Sequence, residues 1–286
     1  MDIHFVNVGK GNCSIIDFPT REHLTIVDID NSRHTEGNEL TCPIDYLEEH
    51  FKGRSIHRFI LTHPDMDHMS GLHELHSKYS ISNFWDTEND KTLTMAAIKK
   101  SPFYSEDDWK TYKKISESQS KPKALKVLRK ESRDFWNVNN ITVLSPSSHL
   151  IKLSKDCADT HPDKYNHLSY VLRIDYAGVR ILFGGDATVA AWDNILAECG
   201  KESLKADIFL APHHGSKNNV NEEVFKHIAP DYVIVSVDQG VDYDYKYYTS
   251  LAKRRVLSTK HYGNIELSIK EDGSYLPFKV ERNSES

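Results

Sequence analysis

The sequence has no apolar run that approaches the roughly 20 residues required by a membrane-spanning helix. From Met1 to Val8 polar and apolar side chains alternate, without a basic leader or a long apolar core. This pattern predicts a first β-strand and not a signal peptide. We therefore expect a cytoplasmic protein that has no membrane partner.

Cysteine is also scarce. The four cysteines are far apart and form no Cys-x-x-Cys pair: Cys13, Cys42, Cys157 and Cys199. A disulfide framework or a thiolate zinc knot normally shows closer, paired spacings. The pattern favours isolated thiols that are buried or incidental.

An overall excess of basic charge is absent as well, because the formal net charge is −6. This argues against a protein that coats nucleic acid along its whole surface. One segment differs: from Lys91 to Arg133 there are twelve lysines and arginines against five acidic residues. Apolar residues there recur at helical spacing, Trp109 with Tyr112 and Ile115, and Leu125 with Leu128 and Phe135. We predict a basic helical insertion over residues 91–135 that forms a cap or lid.

Outside this insertion, short apolar strands alternate with amphipathic helices. Ser14–Asp17 is typical of the strands and Val189–Cys199 of the helices, while Ala177-Gly178 predicts the turn of a β-hairpin. Such an order indicates a layered α/β architecture. Without repeats or low-complexity linkers, a single domain over residues 1–286 is the simplest interpretation.

The strongest functional signal follows the apolar strand predicted at Arg58–Thr62. Four potential metal ligands, His63, Asp65, Asp67 and His68, fall within six residues. So many ionisable groups at the end of a strand would repel one another and lose hydration unless cations neutralised them. The alternative is that an aspartate caps a helix and the histidines face solvent.

Two further strands end in ligand-type residues. One runs through Phe183 into Gly184-Gly185-Asp186, and another leads to Pro212-His213-His214-Gly215. Because α/β sheets usually build their sites at the carboxyl ends of strands, these residues are expected to meet the first cluster. Together the three segments predict a site for two metal ions.

These motifs resemble those of the metallo-β-lactamase superfamily, and within it the hydrolase domain of the competence protein ComEC/Rec2. The resemblance covers most of the chain outside the insertion. It rests on five segments: Val6–Asn12, similar to an opening VGxGD element with Asn12 where Asp is usual; Val27–Asp30; the HxDxDH run from His63 to His68; Phe183–Asp186; and His213–Ser216.

The resemblance implies an αββα sandwich, that is, two mixed β-sheets flanked by helices. It also implies that one metal is held by His63, Asp65 and a residue of the segment 165–169, where Asn166 and His167 compete. The second metal would bind Asp67, His68 and His213. Asp186 would bridge both ions, and His214 would orient a ligand.

The chain departs from the family near Val237–Tyr247, where relatives often have Tyr-Gly-His-Pro and this sequence reads Tyr243-Asp244-Tyr245-Lys246. His261 is a candidate to replace the missing histidine, although a surface histidine before a Gly263 turn is an equally good interpretation. Among the candidate catalytic residues, Asp67 or Asp186 would orient the nucleophile, a metal-bound hydroxide, or accept its proton.

Phosphodiester hydrolysis is the function that the resemblance implies, with two zinc or manganese ions, or magnesium, as cofactors. The insertion suggests DNA or RNA as substrate, with Trp109 or Tyr112 available for stacking on bases. Its basic residues would line the mouth of a groove: Lys110, Lys113, Lys114, Lys121, Lys123, Lys126, Arg129 and Lys130. The alternatives are a hydrolase of small esters or nucleotide phosphodiesters, similar to a phosphocholine esterase, and a metal-stabilised binding protein without turnover.

Overall fold

Two β-sheets packed face to face form the centre of the computed structural model, and helices cover both outer faces. The structure describes residues 1–20, 22–35, 37–129, 131, 138–238, 241, 243–275 and 279–280. This arrangement confirms the predicted αββα sandwich with two mixed sheets. Within the described ranges, no helix combines the length and apolar character needed to cross a membrane.

The larger sheet contains eight strands in the order β16-β15-β1-β2-β3-β5-β7-β8. Pairing is antiparallel from β16 to β3 and parallel from β3 to β8. The bounds are β1 Asp2–Phe5, β2 Ser14–Asp17, β3 Leu24–Val27, β5 Ile56–Ile60, β7 Ile81–Asp86, β8 Lys123–Lys126, β15 Ile265–Ser268 and β16 Lys279–Val280. Two short strands, β4 Ile29–Asp30 and β6 Met69–Ser70, pair separately.

The second sheet contains six strands in the order β14-β13-β12-β11-β10-β9. Its strands are β9 Ile141–Ser145, β10 Val171–Tyr176, β11 Val179–Phe183, β12 Ile208–Leu210, β13 Tyr232–Val235 and β14 Arg255–Ser258. The predicted hairpin is confirmed: Tyr176 pairs with Val179, and the positive φ angles of Ala177 and Gly178 suit a two-residue turn.

The helices flank the two sheets. Against the larger sheet lie α1 Pro43–His50, α2 Leu72–Lys78, α3 Met95–Lys99 and α4 Glu106–Ile115. The remaining helices are α5 Ser148–Asp156, α6 Val189–Cys199, α7 Lys201–Leu204, α8 Glu222–Ile228, α9 Tyr245–Leu251 and α10 Thr259–Tyr262. Side chains that alternate along the strands separate three apolar cores, one between the sheets and one beneath each helical layer.

The predicted helical insertion differs from the structure in its second half. Lys123–Lys126 forms β8, which extends the larger sheet in parallel with β7, so the helix inferred around Leu125 and Leu128 is wrong. Leu125 and Val127, two residues apart, both enter the core between the sheets, which is the periodicity of a strand. Phe135 lies outside the described residues.

Candidate metal centre

The first ligand cluster lies in the loop that follows β5. This strand is parallel to both β3 and β7, so its carboxyl end opens at the same edge of the sheet as Asp28 after β3. The Thr62 N–H and hydroxyl donate to the two oxygens of Asp28 (2.7 and 2.8 Å). These bonds fix the backbone one residue before His63, whose side chain is fully buried.

Asp28 also fixes the orientation of His68. Its Oδ2 lies 2.8 Å from Nδ1 of His68, and this contact directs Nε2 of the buried imidazole towards Asp186. A carboxylate that holds the second nitrogen of a histidine is a common partner of metal-binding imidazoles. From the sequence, Val27–Asp30 is only one of the segments that carry the family resemblance, and this role of Asp28 was not predicted. The signal that could have identified it is a single aspartate directly after a buried strand.

Asp186 faces imidazoles with both of its oxygens. Oδ1 lies 3.4 Å from Nε2 of His68, and Oδ2 lies 3.9 Å from Nε2 of both His63 and His213. The backbone N–H of Asp186 donates to Oγ of Ser169 at 2.9 Å. This placement brings the carboxylate from β11 to the first cluster, as the strand ends predicted.

His214 lies on the opposite side of the cluster, near Asp67. Its Nδ1 is 3.2 Å from the carbonyl oxygen of Ser236, so this nitrogen is the donor and Nε2 keeps its lone pair. Nε2 is 4.0 Å from Oδ2 of Asp67. Asp67, His68 and His214 therefore form a group with ligand atoms within 4.8 Å of one another, as do His63, His68 and Asp186.

Several of these ligand atoms are buried without a hydrogen-bond partner: Nε2 of His63, His68 and His214, and Oδ1 of Asp186. Leaving so many polar atoms unpaired is costly unless another group satisfies them. Imidazole nitrogens and carboxylate oxygens are the donors that Zn²⁺ and Mn²⁺ accept. The donor set therefore fits divalent metal ions.

Electrostatics in this cluster also favour positive charge. Burial by itself would raise the pKa of Asp186, but the imidazoles of His68, His214 and His63 hold it well below the usual value. Burial would lower the pKa of His68, but Asp186 and Asp28 raise it well above the usual value. A metal ion would take over the positive charge that the proton on His68 supplies.

The other three predicted ligands differ in the contacts that they form. Oδ2 of Asp65 is 3.5 Å from Nε2 of His63, and its Oδ1 forms an ion pair with Lys91. Asn166 is buried, and its Oδ1 has no hydrogen-bond partner. His167 instead contacts the Thr188 hydroxyl through Nδ1 at 2.8 Å.

His261, the candidate replacement for the missing family histidine, lies on α10. Its Nδ1 is 2.7 Å from the Ser258 hydroxyl, and its ring packs edge-on against Tyr243. Among the described residues, His261 forms no ion pair or hydrogen bond with either ligand group. Its catalytic role stays a prediction.

Basic and aromatic residues surround the cluster on two sides. Lys91, with a side chain only 11% exposed, contacts Asp65 and lies 4.8 Å from the centre of the Tyr165 ring. Burial, followed by the charges of Asp67 and Asp65, raises the pKa of Tyr104. Opposite, a pocket of about 220 Å³ is lined by Lys10, His213, His214, Ser216, Val237, Asp238, Val241 and Asp244.

The comparisons with known proteins agree with this fold. A family model described as the metallo-beta-lactamase superfamily matches residues 6–144, slightly less than half of the chain. No curated protein matches the sequence. The fold is similar to that of YhfI, a metallo-beta-lactamase fold protein from Bacillus subtilis, with a TM-score of 0.52, 10% identity, and coverage of 93% of this chain and 99% of that one.

Two other solved structures with a similar fold are a hydrolase and a hydroxylase. Igni18, a metallo hydrolase from Ignicoccus hospitalis, has a TM-score of 0.50 at 12% identity, covering 94% of this chain and all of the other. A variant of the β-hydroxylase CmlA has a TM-score of 0.52 at 11% identity, covering 94% of this chain and 54% of that one. The chain has the metallo-β-lactamase fold. The family match supports that superfamily, in which metal-dependent hydrolases occur.

Proposed function

We propose that this protein is a metal-dependent phosphodiesterase that uses two divalent ions. The observation that carries the proposal is the position of Asp186, whose two oxygens face different imidazoles. A carboxylate in this position is suited to bridge two ions. When bound, such a pair lowers the pKa of water and neutralises charge on the attacking and leaving oxygens of a phosphodiester.

For the first ion, we propose His63, Asp65 and Asn166 as ligands together with Asp186. Asn166 is preferred to His167 because its buried oxygen has no hydrogen-bond partner, whereas His167 is directed towards Thr188. For the second ion we propose Asp67 and His68 together with one histidine of the pair His213 and His214. His214 lies nearer to this pair, and His213 lies on the side of Asp186.

The chain's own residues would orient the substrate. Asp28 and the Ser236 carbonyl hold two ligand imidazoles in fixed orientations, so little reorganisation is needed during the reaction. The Lys91 ammonium, beside Asp65, would stabilise negative charge on a phosphoryl oxygen.

The proposed phosphodiesterase could act on either of two substrate classes, polynucleotides or compact phosphodiesters. The resemblance to the ComEC/Rec2 hydrolase domain favours a nuclease. However, Trp109 and Tyr112, on α4 within the insertion, are buried in the core between the larger sheet and its helices, so neither is available to stack on bases and this expectation is wrong. Arg129 is buried as well and pairs with Glu198. These observations and the small pocket beside His213 and His214 favour a compact phosphodiester as the second candidate.

The ligand set also bears on the choice of metal. Asp65, Asp67 and Asp186 supply hard carboxylate oxygens, which increases the preference for Mn²⁺ or Mg²⁺ relative to a pocket of histidines alone. We therefore propose manganese as the more effective activator. Zinc that binds tightly while manganese never activates the protein would contradict this assignment.

The test is hydrolysis of bis-p-nitrophenyl phosphate, single- and double-stranded DNA, and RNA, each with Mn²⁺, Mg²⁺ or Zn²⁺. Asp186→Asn should reduce the rate at least about 100-fold, because even the outer partners of metal ligands contribute 10- to 100-fold. Metal content, measured on the same samples, should fall in parallel. Asp193→Asn, an exposed aspartate on α6, is the matched control and should behave as the unmodified protein.

Each outcome has a distinct meaning. Polynucleotide cleavage that Asp186→Asn abolishes would support a nuclease, and cleavage of the small diester alone would support the compact-substrate version. Tight metal binding without turnover of any diester would overturn the phosphodiesterase proposal in favour of a metal-stabilised binding protein.

A further inference from the structure

A third group of potential metal ligands lies in the segment between α5 and β10. It consists of Cys157, His161 and His167, and one ligand atom of each residue lies within 4.8 Å of those of the other two. The group shares no residue with either group at the candidate metal centre. Cys157 is a free thiol, and it and His167 are both half-buried, whereas His161 is exposed.

Successive turns bring these side chains together. Cys157 follows the last turn of α5, and its N–H donates to the Leu153 carbonyl at 3.1 Å. The N–H of His161 donates to the Ala158 carbonyl at 2.9 Å, and the N–H of His167 donates to the Asp163 carbonyl at 3.0 Å. The backbone therefore fixes the spacing of the three side chains by its own hydrogen bonds.

An ion-pair network anchors the same segment. The Lys164 side chain is 3% exposed, and its ammonium lies 2.7 Å from Oδ1 of Asp159 and 3.3 Å from Oδ2 of Asp90. These contacts hold the backbone between Cys157 and His167 without engaging any of the three ligands. Such preorganisation lowers the conformational entropy that binding would cost.

Both imidazoles form a hydrogen bond through Nδ1. Nδ1 of His161 accepts the Asp163 N–H at 3.2 Å, and Nδ1 of His167 lies 2.8 Å from the Thr188 hydroxyl. In His167, an Nδ1–H that donates to the Thr188 hydroxyl leaves the lone pair of Nε2 for a metal. Because Nδ1 of His161 accepts, Nε2 of the neutral ring carries the proton, so binding through Nε2 would replace the hydrogen bond from Asp163. The ring centres are 6.2 Å apart with planes inclined at 28°, so the rings lie side by side.

We propose that Cys157, His161 and His167 form a second metal site, for a zinc-like transition-metal ion. Thiolate and imidazole are the donors that zinc prefers, and three protein ligands leave one position for water. Zinc bonds of about 2.0–2.3 Å place tetrahedral ligands roughly 3.3–3.8 Å apart, which small side-chain rotations would achieve here. This spacing, Cys-x3-His-x5-His, contains no paired cysteines and so differs from a thiolate knot.

The site would anchor the chain beside the proposed catalytic centre. His167 is adjacent to Asn166, which we propose as a ligand of the first catalytic ion. An ion bound at the Cys157 site would therefore restrain the backbone on one side of Asn166. The inference itself is independent of the proposed function, because it needs no hydrolysis.

Cobalt(II) titration of the reduced protein tests the site directly. A thiolate bound to cobalt gives a charge-transfer band in the near ultraviolet, and the ligands of the catalytic centre contain no sulfur. We expect this band in the unmodified protein and in Asp186→Asn. It should be absent from Cys157→Ser and retained in Cys199→Ser, the matched control at the other half-buried cysteine.

The role of the His167 imidazole is tested in the same titration. His167→Asn should weaken cobalt binding at this band about tenfold or more, and Thr188→Val, which removes the partner of His167, about tenfold. Lack of a band in protein that is shown after unfolding to contain four free thiols would overturn the proposal. A band that persists in Cys157→Ser would also overturn it.

Discussion

At the scale of single residues, Lys91 is the feature that most distinguishes this centre. It begins the basic segment and its ammonium contacts Asp65, a proposed ligand. Burial acts to raise the pKa of Asp65, but His63 and Lys91 hold it well below the usual value, so the carboxylate stays ionised. A fixed cation this close to the proposed metal ligands would also attract a phosphodiester anion.

Replacing Lys91 by methionine should therefore reduce kcat/KM for bis-p-nitrophenyl phosphate about 100-fold, similar to the loss of a single donor to developing charge. Binding of Mn²⁺ should not weaken, because Asp65 loses a competitor for its oxygen. Lys155→Met, which removes a half-exposed ion pair with Glu88, is the control and should change neither quantity. An unaltered kcat/KM in Lys91→Met would exclude a role for this cation in transition-state stabilisation.

The sequence was informative about residue types but less so about their partners. The carboxylates and imidazoles that meet at the centre follow three strands, so their convergence was predictable from the apolar runs before them. The contact of Asp28 with His68 depends on the pairing of β3 with β5, and that of His214 with Ser236 depends on the pairing of β12 with β13. Contacts of this kind join distant parts of the chain, and local patterns do not encode them.

At the scale of elements, strand periodicity was predicted well where one face is buried between the sheets, as in β2 and β11. It failed at β8, because Leu125 and Leu128 also match the spacing of a helix. Parallel pairing with β7 selects the strand over the helix, and this pairing is a tertiary interaction that the local pattern does not contain. The gap between predicted and observed structure is thus largest at the edge strand of the large sheet.

The turn after β11 offers a test at this scale. Gly185 has φ +51°, and a Cβ there would lie 2.3 Å from Oγ of Ser169 and 2.8 Å from the Tyr170 carbonyl. Gly185→Ala should lower the free energy of unfolding by about 3 kcal/mol, since overpacking adds to backbone strain. It should also weaken metal binding, because Ser169 positions Asp186.

Gly178 provides the matched control for Gly185, because it also has a positive φ but a Cβ there would meet no atom within 4 Å. Gly178→Ala should cost only the backbone strain, about 1–2 kcal/mol, and leave metal binding unchanged. Urea unfolding and Mn²⁺ titration of both variants separate the two contributions. Equal destabilisation by the two substitutions would show that the contact with Ser169 imposes no steric limit.

At the scale of the whole molecule, charge is distributed unevenly: the segment from Lys91 to Arg133 is basic, and the remaining chain is acidic. Ion pairs reduce the number of basic residues available to a ligand, since Lys110 pairs with Glu106 and Lys126 with Asp86. Lys114, Lys121 and Lys123 remain exposed. If the substrate is a polynucleotide, these lysines are the ones that would contact its phosphates.

Reversing all three charges, as Lys114→Glu with Lys121→Glu and Lys123→Glu, should then weaken binding of single-stranded DNA and flatten its salt dependence. The slope of log affinity against log salt should fall by up to about 0.7 per lysine that contacts a phosphate. Reversal of three exposed lysines elsewhere, Lys52, Lys152 and Lys201, changes the net charge equally and serves as the control.

Equal losses of DNA affinity in both triple variants would mean that only net charge matters. A loss confined to the variant of the basic segment would identify that segment as the nucleic-acid contact. If neither variant changed DNA binding while hydrolysis of bis-p-nitrophenyl phosphate continued, a compact diester would be the better substrate class.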